Sequence, residues 1–222
     1  MNKTPKVKIC CISSPKEAEV AIKLGASVLG LVGPMPSGPG IIDNQLIKEI
    51  ADKTSSDIST FLLTSETSAK SIIEHHKKVN TTSIQIVDEL TSGNYQDIRM
   101  ALPHVELIQV IHVIDENSVK QAIKASKHVD YILLDSGNPN LEIKELGGTG
   151  KTHNWNLSLQ IKNAIDVPLF LAGGLTPDNV QDAITRVQPY GLDLCSGVRT
   201  DGNLDLSKLK AFFDNIKALT YI

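Results

Sequence analysis

The chain has 222 residues, of which 41% are hydrophobic, 21% charged and only 4% aromatic, and this composition is ordinary for a globular protein. Its formal net charge of −3 argues against a general affinity for nucleic acid or for anionic membrane surfaces. No segment approaches the roughly 20 apolar residues that span a bilayer, and the N-terminal sequence MNKTPKVKIC has no apolar stretch long enough for a signal peptide. We therefore expect a cytoplasmic protein whose partner is neither nucleic acid nor membrane.

Short β-rich runs alternate with amphipathic helical stretches from one end of the chain to the other. Eight predicted strands occupy 7–12, 27–32, 58–63, 83–87, 105–111, 129–135, 167–172 and 190–195. The predicted helix at 14–25 has Pro15 in its first turn and Gly25 as its C-cap, and the helix at 176–187 has Thr176 as its N-cap. Such alternation predicts parallel strands, because each crossover needs a helix to return the chain.

Eight strands and eight helical spacers, the last at 204–219, predict a single domain over 1–222 with the α/β fold of a (β/α)₈ TIM barrel. The alternative is an open, doubly wound sheet. Its dinucleotide fingerprint, G-x-G-x-x-G after the first strand, is missing, because that strand continues into CCISSPKEA. The closed barrel is therefore the favoured fold.

Two sequence features that suggest other kinds of site do not fit them. The run ELGGTGKTHNW, 145–155, ends like a P-loop, but that pattern needs a glycine where Glu145 stands. The cysteines Cys10, Cys11 and Cys195 have neither a disulfide framework nor zinc-ligand spacing. We interpret Cys11 and Cys195 as packing thiols.

Polar residues near the C-terminal ends of the predicted strands are candidates for catalysis, because barrel active sites lie at that end. Strand alternation directs Lys8 and Cys10 of the first strand into the barrel. The same alternation directs Gln85, Asp135 and Asp193 inward. A strand cysteine is more often a buried packing residue, and an aspartate that ends a strand is often a turn-former. Spacing alone therefore leaves the structural alternative open.

Two glycine-containing loops favour a phosphate site. LAGGLTPDNV, 171–180, and CSGVRTDGNLD, 195–205, each follow a strand and precede a helix. Main-chain N–H groups that no side chain obstructs, beside a helix N-terminus, suit an anion. The candidate phosphate-binding residues are Ala172, Gly173, Gly174, Ser196 and Gly197. Ordinary turns that need glycine are the alternative.

Taken together, these motifs resemble those of the phosphoribosylanthranilate isomerase family of tryptophan biosynthesis. KICCI, 8–12, is similar to the family's K-I-C-G-[IL], and LLD followed by GGTGKTHNW is similar to L-L-D…G-G-[ST]-G-x-x-F-D-W. The two loops at 171–180 and 195–205 resemble the family's loops after strands 7 and 8. The resemblance implies that 147–155 is a loop that closes over the active site, with Gly148 and Gly150 near substrate and Asn154 capping the next helix.

The resemblance also implies a reaction, an Amadori rearrangement that needs one acid and one base. By resemblance, Cys10 is the general base and Asp135 the general acid. Their positions suggest the further hypothesis that Lys8 favours the Cys10 thiolate and that Asp193 raises the pKa of Asp135. Lys8 and Gln85 are candidates for direct contact with substrate. This chemistry requires no metal and no organic cofactor, and the expected partner is a phosphorylated small molecule.

The chain departs from the family pattern around the aromatic end of the substrate. Pro39 stands where the family has an arginine, and Val87 where it has a histidine. Arg199 replaces a family glutamate and is a candidate for the missing cation. His153 replaces a phenylalanine and is expected to be exposed. Two alternatives follow, an isomerase of a different phosphorylated aminosugar and a sugar-phosphate-binding barrel without catalysis.

Overall fold

Eight parallel strands form a closed barrel in the computed structural model, which describes residues 4–36, 38–138 and 150–219. The strands are paired in chain order, and β8 closes the barrel against β1. Their bounds are β1 Lys6–Ile9, β2 Val28–Val32, β3 Ser59–Thr64, β4 Ser83–Ile86, β5 Glu106–His112, β6 Tyr131–Asp135, β7 Leu169–Leu171 and β8 Gly191–Leu194. The predicted (β/α)₈ barrel is confirmed.

A helix lies between each pair of consecutive strands and a last one follows β8. The bounds are α1 Pro15–Leu24, α2 Asn44–Lys53, α3 Ala69–Val79, α4 Tyr95–Ala101, α5 Asn117–Ser126, α6 Trp155–Ala164, α7 Val180–Val187 and α8 Leu206–Leu219. None of these helices, within the residues described, is long and apolar enough to cross a membrane. A short 3₁₀ turn, Ser196–Val198, and a hairpin of β9 Arg199–Thr200 and β10 Asn203–Leu204 precede α8.

Strand alternation divides the buried residues into two layers, as predicted. Val7 and Ile9 of β1 belong to the layer that packs between the strands and the helices, with Leu192 of β8. Cys10 and Leu133 belong to the layer inside the barrel. The inner layer is where the sequence placed its candidate catalytic residues.

The predicted start of α1 is confirmed and that of α7 is wrong. Ser14 caps α1 by accepting a hydrogen bond from the Glu17 N–H, and Gly25 closes it with φ of +125°. In contrast, α7 begins three residues beyond the predicted start, with Asn179 rather than Thr176 at its N-cap. The Asn179 side chain accepts from the Thr176 N–H and donates to the Gly174 carbonyl, so it holds the preceding residues as a turn.

The hairpin of β9 and β10 also shortens a predicted helix, because the last helix begins at Leu206 rather than at residue 204. Asp201 and Gly202 connect the two strands with φ values of +50° and +78°. Positive φ at both central residues is the geometry of a two-residue hairpin turn, and Asp-Gly is a preferred sequence for it. The dipeptide was therefore a readable signal of the hairpin.

Aromatic rings fill the barrel toward the N-terminal ends of its strands. Phe170 lies 5.9 Å from Phe61, 5.7 Å from Tyr131 and 5.6 Å from Tyr190, measured between ring centroids. Gly191 leaves the space for this ring, since a Cβ added there would overlap Phe170. A packed floor of this kind confines any cavity to the opposite end.

We predict that Gly191→Ala lowers the free energy of unfolding by about 1–3 kcal/mol, because a well-packed interior cannot take an extra methyl group. Phe170→Leu in the same chain should relieve part of that loss. The measurement is urea unfolding of the parent, both single variants and the double variant. Additive costs would contradict the assigned clash, because coupled neighbours give non-additive changes.

Candidate active site

One cavity opens at the C-terminal end of the barrel and brings most of the predicted site residues together. The predicted residues that line it are Cys10, Gln85, Asp135, Gly150, Ala172, Gly173, Gly174, Asp193, Ser196 and Gly197. Gly148 lies outside the described residues. Residues from strands on both sides of the barrel therefore face the same small volume.

Lys8 lies beneath the cavity and forms a buried ion pair. Its Nζ is 2.8 Å from Asp193 Oδ1, and no part of its side chain is exposed. The two residues are also neighbours in register between β1 and β8. Because Lys8 is fully buried and donates to Asp193, the prediction that it contacts substrate directly is wrong. It acts on its surroundings through charge.

Cys10 lies directly above Lys8 in an environment that favours its anionic form. The neighbouring Cys11 thiol lowers the pKa of Cys10, and the Lys8 ammonium lowers it further, whereas burial and the Asp193 carboxylate raise it. The pKa of Cys10 is therefore below that of an ordinary thiol. The expected help from Lys8 is present, and the larger contribution comes from Cys11.

Asp135 ends β6 in an environment that favours its protonated form. Burial raises the pKa of Asp135, and the charge of Asp193 raises it further. Opposing these effects, the Ser136 N–H donates to Asp135 Oδ1 at 2.7 Å, and His112 and Lys8 act in the same lowering direction. The pKa of this carboxyl is raised overall, as a general acid requires.

His112 is a neighbour of Asp135 that the sequence reasoning missed. It ends β5 in register with Asp135, and only 8% of the residue is exposed. Its Nε2 lies 3.1 Å from the Val87 carbonyl, and its buried Nδ1 has no partner among the described residues. The predicted strand stopped at residue 111, one short of it. Extending the inward alternation of Ile108 and Val110 by two residues would have found it.

Glycines let three loops touch main chain to main chain beside the cavity. Gly173 and Gly174 have φ of +83° and +59°, and a Cβ on Gly174 would stand 2.6 Å from the Lys151 carbonyl carbon. A Cβ on Gly197 would overlap the Leu175 carbonyl. The loops after β6, β7 and β8 therefore approach so closely that side chains are excluded, which leaves N–H groups accessible to an anion.

The part of the cavity formed by β2, β3 and β4 is apolar. Val32, Met35, Pro39, Leu63 and Val87 line it, and no lysine, arginine or histidine does so among the residues that the structure describes. Gln85 is its polar group. Only 3% of Gln85 is exposed, and its Oε1 has no hydrogen-bond partner within the described chain. A buried amide without a partner is costly, so this side chain is available to a bound molecule.

Comparisons with known proteins agree with this geometry. The family model described as N-(5'phosphoribosyl)anthranilate (PRA) isomerase matches residues 7–215. The N-(5'-phosphoribosyl)anthranilate isomerase of Nostoc punctiforme is 35% identical over 95% of this chain and 98% of its own length. That of Methanosarcina acetivorans is 31% identical over 96% and 93%. The chain belongs to the phosphoribosylanthranilate isomerase family.

Solved structures of phosphoribosylanthranilate isomerases share the fold. The Thermotoga maritima enzyme superposes with a TM-score of 0.79 at 26% identity, covering 96% of this chain and 99% of the other. A second structure, of an isomerase in complex with reduced 1-(o-carboxyphenylamino)-1-deoxyribulose 5-phosphate, has a TM-score of 0.76 at 24% identity with the same coverage. The resemblance inferred from the sequence is confirmed.

Arg199 departs from the phosphoribosylanthranilate isomerase pattern without entering the cavity, so its prediction as the missing cation is wrong. Its guanidinium pairs with the Glu17 carboxylate at 3.1 Å and donates to the carbonyls of Cys10 and Cys11. The two carbonyls follow β1 and Glu17 belongs to α1, while Arg199 itself is not among the residues that line the cavity. Arg199 therefore anchors β1 to the loop after β8.

His153 is not the exposed residue that the sequence predicted. Its Nε2 lies 2.8 Å from Ser158 Oγ, and its ring packs against Gly173. Burial lowers the pKa of His153 to about 4. Asn154 caps α6 as expected, by accepting from the Asn156 N–H. The described part of the loop after β6 is thus held onto the glycine pair by a neutral ring.

We predict that Asp193→Leu lowers the free energy of unfolding by about 3–5 kcal/mol, because it leaves the Lys8 ammonium buried without a counter-charge. The double change Lys8→Met with Asp193→Leu should recover most of that loss, since no buried charge then remains. Guanidinium unfolding of the three proteins measures both effects. A double variant as unstable as Asp193→Leu would contradict the assigned role of the ion pair.

Proposed function

We propose that this protein catalyses the Amadori rearrangement of N-(5'-phosphoribosyl)anthranilate to 1-(o-carboxyphenylamino)-1-deoxyribulose 5-phosphate in tryptophan biosynthesis. Cys10 is the general base and Asp135 the general acid. The observation that carries the proposal is that both groups line one cavity and their pKa values are displaced in the directions that these roles need. A binding protein without turnover would need neither displacement.

The reaction requires two proton transfers at different atoms. Asp135 donates its proton to the ring oxygen as the bond between that oxygen and C1 of the ribose breaks, which leaves an iminium ion. The Cys10 thiolate removes the proton from C2, and the resulting enolamine tautomerises to the aminoketose. Each group must therefore start in the ionisation state that is rare in water.

The surroundings of both groups oppose the free-energy cost of these rare ionisation states. An ordinary aspartic acid, with a pKa of about 3.9, is protonated roughly one time in a thousand at pH 7, which corresponds to about 4 kcal/mol. Burial and the Asp193 charge act against that cost. An ordinary thiol is only a few per cent anionic at pH 7, and here the Cys11 thiol and the Lys8 ammonium favour the anion.

The substrate phosphate is assigned to the glycine loops. The main chain of Gly173, Gly174, Ser196 and Gly197 supplies the N–H donors, and Gly150 faces the same part of the cavity. Gln85 on β4 lines the same cavity, where it can donate to or accept from the sugar hydroxyls. The proposal makes the protein a cytoplasmic biosynthetic enzyme whose partner is this phosphorylated small molecule rather than nucleic acid or membrane.

Substitution of either catalytic group should abolish most of the turnover. We expect Cys10→Ala and Asp135→Asn each to lower kcat by about 10²–10⁴-fold, the usual contribution of a general acid or base. The measurement is the loss of phosphoribosylanthranilate fluorescence, with Asp52→Asn on the exposed face of α2 as the charge-matched control.

The pH dependence separates the two roles. Activity should fall at low pH as Cys10 becomes protonated and at high pH as Asp135 ionises, and the lowered pKa of Cys10 with the raised pKa of Asp135 brings these two limits closer together. Full activity of Cys10→Ala or of Asp135→Asn would contradict the roles assigned to these two residues. No turnover by the parent would favour a different phosphorylated aminosugar as substrate or a binding role.

The apolar end of the cavity favours a second candidate, an isomerase whose substrate carries no carboxylate there. Loss of a charge-assisted hydrogen bond usually costs about 1.5–3 kcal/mol. Because no cation lines this end among the described residues, we predict that phosphoribosylaniline, which lacks the carboxylate, has a kcat/KM within about tenfold of the anthranilate substrate, or about 1.4 kcal/mol. A preference for anthranilate of a hundredfold or more would reject the second candidate.

A further inference from the structure

Two thiols that the proposed reaction does not use as acid or base lie in contact at the cavity mouth. Cys11 follows β1 and Cys195 follows β8, and their Sγ atoms are 2.7 Å apart. Both residues line the cavity, with Cys11 buried and Cys195 partly exposed. The pair is therefore reachable from solvent through the same opening that admits substrate.

The backbone also fits a covalent bond between these two side chains. β1 and β8 pair in parallel register up to Ile9 and Leu194, so the two cysteines lie just beyond neighbouring strand ends. Cys11 lies one residue beyond the position in register with Cys195. A strand spacing of about 4.8 Å combined with a rise of about 3.3 Å still falls within the Cα separations of about 4.4–6.8 Å that disulfides span. No rearrangement of the barrel is needed to bring the sulfurs together.

Cys11 occupies an unusual backbone conformation that its surroundings hold in place. Its φ of +62° lies in the left-handed region that favours glycine, at a cost of the order of 1–3 kcal/mol for other residues. Its Sγ also lies 3.5 Å from the Pro39 carbonyl, and a Cβ on Gly40 would overlap the Cys11 side chain. The thiol is thus fixed in its orientation toward Cys195 rather than free to turn away.

We propose that Cys11 and Cys195 form a modification site that is reversibly oxidised to an intramolecular disulfide by low-molecular-weight disulfides such as oxidised glutathione. The Cys195 thiolate attacks the small disulfide, whose sulfur–sulfur bond breaks and releases one thiolate. Cys11 then attacks Cys195 Sγ and displaces the second thiolate, and the protons of the two cysteines pass to the two departing thiolates. The protein dithiol loses two electrons and the small disulfide gains them.

Oxidation of this pair should reduce catalysis without modifying Cys10. The Cys11 thiol is the neighbour that most favours the Cys10 anion, and a disulfide removes its proton from that interaction. This consequence, unlike the modification itself, rests on the proposed function. Activity falls in proportion to the thiolate fraction of Cys10, and we expect a loss of about tenfold.

The first experiment maps the bond without any substrate. The reduced protein is incubated with oxidised glutathione, alkylated with iodoacetamide and digested with trypsin. Cleavage after Lys8 and Lys16 releases ICCISSPK, and cleavage after Arg186 and Arg199 releases VQPYGLDLCSGVR. We expect these two peptides joined by one disulfide at Cys11, with Cys10 alkylated and the link lost in dithiothreitol.

Fragmentation between the adjacent cysteines assigns the linked residue. A link through Cys10, a bond between Cys10 and Cys11, or a Cys195 that stays alkylated or only glutathionylated would each overturn the proposal. Because the mapping needs no turnover, it decides the modification site even if the proposed substrate is not the true one.

The second experiment compares activity within each protein before and after oxidation. The activity of the parent protein should fall about tenfold on oxidation and recover on reduction, because oxidation lowers the thiolate fraction of Cys10. Cys11→Ser and Cys195→Ser each remove one partner, so their ratio of oxidised to reduced activity should stay within about twofold, whatever their starting rates. An equal loss in all three proteins would assign the effect to Cys10 and overturn the link between the pair and catalysis.

Discussion

The ion pair between Lys8 and Asp193 is the interaction on which both the barrel and its chemistry depend. It joins β1 to β8, the two strands that close the sheet, and it is buried directly beneath the cavity. Its two charges also oppose each other at each of the two proposed catalytic groups, since Lys8 favours the Cys10 anion while Asp193 disfavours it. At Asp135 the two charges act in the same directions, but their order is reversed, because the contribution of Asp193 is larger than that of Lys8.

This buried ion pair acts with the burial of the site to shift the two pKa values in opposite directions, that of Cys10 downward and that of Asp135 upward. The thiol lies on the same strand as the ammonium, so it experiences a net positive neighbour. The carboxyl lies across the barrel on β6, where burial and the carboxylate together outweigh the cation. A thiolate and a protonated carboxyl group can therefore coexist in one small cavity at the same pH.

The sequence was enough to predict features that follow from side-chain alternation along a strand and from the order of the elements. It was not enough to predict features that depend on contacts between residues far apart in the chain. Two-residue alternation was enough to place Cys10, Asp135 and Asp193 inside the barrel, because the side-chain direction follows from the strand itself. The position of the Arg199 guanidinium depends on Glu17, which is 182 residues away in the chain. The Glu17 carboxylate binds the guanidinium, so it does not reach the cavity. His153 was misplaced for the same reason, since its burial depends on Gly173 in another loop.

Cys11 and Pro39, which both depart from the family pattern, pack against each other beside the cavity. Cys11 lies under the loop after β2, where its Sγ contacts the Pro39 carbonyl and its Cβ leaves room only for glycine at position 40. Pro39 stands where the family has an arginine. The position expected to carry a carboxylate-binding side chain therefore packs against Cys11, whose thiol also contacts Cys195. The path of the loop after β2 therefore depends on its contact with Cys11. Because this loop contributes Pro39 to the apolar end of the cavity, that end is linked to the pair of thiols. A disulfide between Cys11 and Cys195 would therefore act on Cys10 and on the loop after β2 through the same residue, Cys11.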